Sequence, residues 1–167
     1  MRKYPKSAIF VLVFCCVVFS ARGAVFAGEY PALEGVQSVN AIFDLRTGNP
    51  KSAVVYLKLI QETFGDESIR GITKSPRFVV VLMGPAVQLA SKNRQNVSAE
   101  ESKALDEIAG LISQMAKDGI RFEICLFAAK IFGVEAGSIL PEIKQVHNGW
   151  ISLIGYESRG YALVPVY

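Results

Sequence analysis

The sequence predicts an α/β fold, a three-layer α/β/α sandwich built on a five-stranded, mostly parallel sheet. Three observations carry this. Patterns typical of strands and of helices alternate along the chain. Two of the strands, Val39–Leu45 (VNAIFDL) and Phe78–Met83 (FVVVLM), are apolar on nearly every residue, as strands buried on both faces are. The helical stretches between them open on recognisable caps.

Residues 1–27 stand outside that fold. Arg2, Lys3 and Lys6 precede an unbroken apolar run from Ala8 to Phe19. As a helix the run would reach about 18 Å, short of a hydrocarbon core of about 30 Å. Val25 and Ala27 are small enough for the −3 and −1 positions of a cleavage site, so the segment is expected to be a signal peptide cut after Ala27. An uncleaved anchor is the alternative. Cys15 and Cys16 lie within the apolar run behind bulky Phe14, which does not suit a lipoprotein site.

Removing those residues takes away four basic and no acidic side chains. Eighteen basic against 15 acidic becomes 14 against 15, and the formal charge of +3 becomes −1. No basic excess is left to attract nucleic acid or anionic lipid. The remaining 140 residues suit one domain with a sizeable core. Of three cysteines only Cys125 remains, so an intramolecular disulfide is excluded. The expected location is periplasmic or secreted, with no stable membrane insertion after cleavage.

Gly28–Ser38 reads as an extended lead-in, and residues 39–167 as the α/β domain. After the first strand, Asn49-Pro50 supplies an N-cap and a proline at the first helical position. The helix runs to Phe64, with Ala53, Leu57, Ile60 and Phe64 on one face. Gly65–Pro76 reads as a loop. Gly84-Pro85 stops the second strand, and a short helix is expected over Ala86–Ala90. Ser98 and Glu101 form a capping box for a long helix through Lys117, whose stripe of Leu105, Ile108, Leu111, Ile112 and Met115 is core packing. Gly119 ends it.

From Arg121 the pattern has period two. Phe122, Ile124 and Leu126 take one face, and Arg121, Glu123 and Cys125 the other, more polar one. A short helix follows through Ala128-Ala129-Lys130, closed by Gly133. Cys125 thus stands at a strand end before a helix start, where the positive end of the helix favours thiolate. A partly accessible thiol is expected on that ground; a buried, purely structural cysteine is the alternative. Ile143–His147 reads as a fourth strand, Gly149–Ser158 as the last helix and Tyr161–Val166 as the last strand, with Pro165 suiting an edge.

In such a sheet ligands bind beyond the carboxyl ends of the strands. Those ends carry Asp44, Arg46, Gly84, Pro85, Cys125, His147 and Asn148, the candidate site residues. Bland readings stand beside each: Asp44 and Arg46 pair with each other, Gly84-Pro85 is a turn, and His147 is a hydrogen-bonded loop residue. There is no dinucleotide fingerprint, no phosphate-binding loop, no C-x-x-C and no H-E-x-x-H. One histidine and one remaining cysteine cannot supply a zinc site, so neither metal nor cofactor is expected. Asn96-Val97-Ser98 matches a glycosylation sequon, but Ser98 already has a capping role.

Gly119, Cys125, Ala128-Ala129 and Gly133-Val134, followed by Asn148-Gly149-Trp150, Leu153-Ile154 and Gly160-Tyr161-Ala162, resemble in order and spacing the DsrE/DsrF/DsrH-like family, taken here as a secreted branch. The resemblance covers about Val39 to Val166. It implies an α/β protein, often oligomeric, several of whose relatives pass sulfur as a persulfide on the cysteine matching Cys125. A homo-oligomer with an unknown sulfur donor and acceptor is therefore expected. The alternative is a non-catalytic small-ligand-binding or assembly module in which Cys125 is structural.

Overall fold

The computed structural model describes residues 30–94 and 97–167. The expected signal peptide with its expected cleavage after Ala27, Cys15, Cys16 and Asn96 of the sequon lie outside the described residues.

Five strands, β1 (Asn40–Leu45), β2 (Arg77–Leu82), β3 (Arg121–Cys125), β4 (Ile143–Val146) and β5 (Ala162–Val166), form one sheet in the order β4-β3-β2-β1-β5. Every neighbouring pair is parallel. β1 and β2 are buried along almost their whole length, as their apolar runs require, while β5 at the edge is mostly exposed and carries Pro165.

The helices are α1 (Pro50–Gly65), α2 (Glu67–Ile72), α3 (Ala99–Lys117), α4 (Leu126–Ile131) and α5 (Gly149–Glu157). Asn49 caps α1 by accepting from the Ser52 amide, and Pro50 occupies the first turn. Ser98 and Glu101 form the reciprocal capping box of α3. Hydrogen bonds from the Ser98 backbone and then its side chain hold the Glu101 carboxyl below its ordinary range.

Three stretches differ from expectation. Gly65–Pro76 is not all loop: Asp66 accepts from the Ser68 amide and opens α2, whose Arg70 stacks on the Phe64 ring at 4.4 Å. The described part of the lead-in, from Tyr30, contains a 3-10 turn at Pro31–Leu33. The element after β2 is likewise a 3-10 helix, Gly84–Ala90.

Strand order decides which helix covers which face. The chain steps from β1 to β2 to β3 in one direction, and α1 and α3 pack against each other along that route. Phe64 of α1 meets Phe78, which in turn meets Phe43, so this layer lies over the Phe43 and Phe78 face. The passage from β4 back to β5 crosses β3, β2 and β1 in the opposite direction. With the handedness of crossovers fixed, reversing the direction puts the connecting helix, α5, on the other face. There Ser152 and Tyr156 of α5 bond Glu123.

Candidate functional site

Register defines the site. Asp44, Val81 and Glu123 are partners across β1, β2 and β3, and Leu45, Leu82 and Ile124 form the next row. One residue further on, Arg46, Met83 and Cys125 form the row at the carboxyl ends. The Met83 amide donates to Leu45 and the Arg46 amide to Val166, so the ladder pattern continues to that point. Because side chains alternate, this last row shares its face with Asp44 and Glu123, the face under α5. Neighbouring strands lie about 4.8 Å apart, which places guanidinium, thioether and thiol along one edge.

The contacts bear this out. Arg46 Nε donates to Asp44 Oδ2 at 2.8 Å, and Arg46 Nη2 approaches Met83 Sδ at 4.0 Å. Asp44 Oδ1 is buried without a hydrogen-bond partner among the described residues. Asn148 caps α5 by accepting from the Trp150 amide at 3.0 Å, and this sets Gly149 as the first helical residue. A Cβ added at Gly149 would lie 3.1 Å from Cys125 Cβ and 3.1 Å from Met83 Sδ. Glycine lets the first turn of α5 pack closely on Cys125 and Met83.

Cys125 is consequently 2% exposed, and the expectation of a partly accessible thiol is corrected. The polar strand face is real, but it is covered. Its helix-start position also weighs less than expected: α4 has six residues, so few peptide dipoles align behind it, and Cys125 makes no side-chain cap bond there.

The other candidates divide. Arg46 and Cys125 stand in one row with Asp44 behind, and Asn148 shapes the cover. Gly84, at φ 53°, turns the chain out of β2, and Pro85 packs against the loop after β1, where a Cβ on Gly48 would come within 2.9 Å of Pro85 Cβ. His147 is exposed; its carbonyl accepts from the Phe127 amide at 3.1 Å. A 410 Å³ cavity lined by Ser91, Glu101, Phe132 and Ser138, among others, includes none of the candidates.

Met83, Gly149 and Glu123 were not among the predicted site residues. Glu123 had a signal, a carboxylate on the same strand face as Cys125. Met83 had none, and Gly149 only its place in the Asn148-Gly149-Trp150 stretch, since their role follows from register and from the route of the β4–α5 connection. Among the described residues no group of side chains is suited to a metal ion, and no helix is long and apolar enough to cross a membrane.

Residues 40–166 match the model of the DsrE/DsrF-like family. An uncharacterised protein of Aquifex aeolicus is 23% identical over 128 residues, 76% of this chain and 56% of the relative. The chain thus matches little more than half the length of that curated relative. Among solved structures, a protein of unknown function from Methanobacterium thermoautotrophicum superposes with a TM-score of 0.60 at 15% identity, covering 77% of this chain and 99% of that one. A conserved protein of unknown function from Bacteroides thetaiotaomicron gives 0.54 at 21% identity, covering 76% and 94%. The ychN protein of E. coli gives 0.53 at 11%, covering 78% and 99%. At these identities the likeness is one of fold.

Proposed function

The chain belongs to the DsrE/DsrF-like family, and on that premise we propose that it is an exported sulfur carrier that holds sulfane sulfur as a persulfide on Cys125. The observation that carries this reading is the row formed by Arg46, Met83 and Cys125 at the carboxyl ends of the sheet, with Arg46 in contact with Met83. A persulfide is an anion at neutral pH, and a guanidinium two strands away lowers its energy.

In the loading step the Cys125 thiolate attacks the outer sulfur of a donor persulfide. A new bond forms at Sγ, the donor sulfur–sulfur bond breaks, and the donor leaves as a thiolate with the electron pair. In the unloading step an acceptor thiolate takes the outer sulfur and Cys125 leaves as thiolate. The exchange is redox-neutral and needs no cofactor. Because Cys125 is 2% exposed, either step requires the first turn of α5 to lift.

Export rests on the basic start and short apolar run of residues 1–27. A homo-oligomer fits the exposed apolar side chains of α4 and α5, including Phe127, Ile131, Trp150 and Ile154. Sedimentation at micromolar concentration reads the oligomer directly, and a monomer would remove it. Intact mass of protein recovered from the periplasm should begin near Gly28. After incubation with glutathione persulfide it should rise by one sulfur in the native chain and not in Cys125→Ser. A folded native chain that gains no sulfur would sink the carrier reading.

The burial of the thiol beneath Gly149 favours one alternative, a binding or assembly module with a structural Cys125. That reading predicts a thiol that reacts only after denaturation.

A further inference from the structure

We infer that Glu123 is a positioning residue for α5 and, through that helix, sets how often the Cys125 thiol meets solvent. Glu123 and Cys125 are two residues apart on β3 and point to the same face. Glu123 is 5% exposed, and α5 occupies both of its carboxylate oxygens. Ser152 Oγ donates to Oε2 at 2.5 Å and Tyr156 OH donates to Oε1 at 2.9 Å. Ser152 and Tyr156 are one turn apart, and Gly149, three residues before Ser152, lies on the same side of the helix. One carboxylate therefore holds two successive turns of the helix whose first residue closes the thiol.

The apolar grip of α5 on the sheet is slight. Of its nine residues only Gly149, Leu153 and Tyr156 are buried, while Trp150, Ile151 and Ile154 are 62–67% exposed. A helix this short has little stability of its own. Hydrogen bonds to an ionised acceptor are stronger than neutral ones, so the clasp supplies a large share of what holds α5 down. A buried carboxylate is also a poor choice if stability alone were at issue, since an apolar side chain of similar volume would serve as well. It provides a directional hold that is released as a unit when the helix moves. This inference does not rest on the carrier reading: it concerns access to the thiol, whatever the thiol does.

The test is labelling of the folded protein with methyl methanethiosulfonate, followed by intact mass. The Cys125 thiolate attacks the reagent's methylthio sulfur, the thiosulfonate sulfur–sulfur bond breaks, a mixed disulfide forms and methanesulfinate leaves. Tyr156→Phe and Ser152→Ala should each speed labelling about tenfold to a hundredfold, while Ser152→Thr, which keeps a hydroxyl, should label near the native rate. Phe64→Leu weakens the opposite layer, so it should lower the melting midpoint and leave labelling unchanged. Three results would overturn the inference: clasp variants that label at the native rate, a native thiol that labels as fast as the unfolded chain, or Phe64→Leu speeding labelling in step with its lost stability.

Discussion

Gly149 and Cys125, 24 residues apart in sequence, are in contact: a Cβ at position 149 would lie 3.1 Å from that of the cysteine. The first turn of α5 packs on the Cys125 residue, and a Cβ at position 149 would fit only if Cys125 or Met83 gave way by a few tenths of an ångström.

Gly149→Ala should therefore push α5 away from Cys125 and Met83. Overpacking of this kind costs about 1–3 kcal/mol, and labelling of the thiol should quicken. Two of the three closest approaches are to Met83, so adding Met83→Ala should recover part of the loss of the glycine variant. Urea melts of the two single variants and the double one decide this; simple additivity would mean the packing relaxes elsewhere.

Cys125→Ser places a hydroxyl in a site that is 2% exposed. If that hydroxyl finds no partner the variant should lose about 1–3 kcal/mol of stability, and Cys125→Ala should lose less. A serine variant that melts with the native protein would show that the site is wetter than its geometry.

Arg46→Ala should leave the buried Asp44 carboxylate without its 2.8 Å partner, in addition to an Oδ1 that already has none among the described residues. Because the Arg46 side chain is 35% exposed the cost is moderated by solvent, about 1–3 kcal/mol. Removing both partners, Asp44→Ala with Arg46→Ala, should be milder than Arg46→Ala alone. A double-mutant cycle on denaturation midpoints checks the sign.

Tyr156 should make stability fall at alkaline pH. Burial of its hydroxyl, and then the Glu123 carboxylate it donates to, raises its pKa above the ordinary value near 10. As pH rises past that value the unfolded chain releases the proton first, so the unfolded state binds fewer protons and stability drops with pH. The contribution is present below pH 10 and lost as pH climbs through the folded value. Tyr156→Phe should flatten this part of the alkaline slope in melts taken across that window; an unchanged slope would assign it to other groups.

Much of this was legible in the chain. The apolar runs of β1 and β2, the Asn49-Pro50 start of α1 and the Ser98–Glu101 box are local signals, and each marks its element in the structure. α2 was hidden by Gly71 and Pro76, because what supports it includes the stacking of Arg70 on Phe64, a contact outside its own span. At the site, period two correctly put Cys125 on the face of Glu123. It could not say that this face is covered, because the cover comes from the direction of the β4-to-β5 crossover. Exposure of a strand end depends on which helix returns across it, and nothing within five residues of Cys125 records that.

The pairing of β1 with β5 has a consequence for how the protein is made. Ala41 stands beside Ala162 and Leu45 beside Val166, so the second strand-forming partner of β1 is the last one synthesised. Until residue 166 has left the ribosome, β1 has β2 on one side and an open edge on the other. Contacts this distant in sequence form late and slowly. The sheet thus keeps one open edge along β1 until β5 has been made, and a chain in that state is more exposed to mispairing than the finished one.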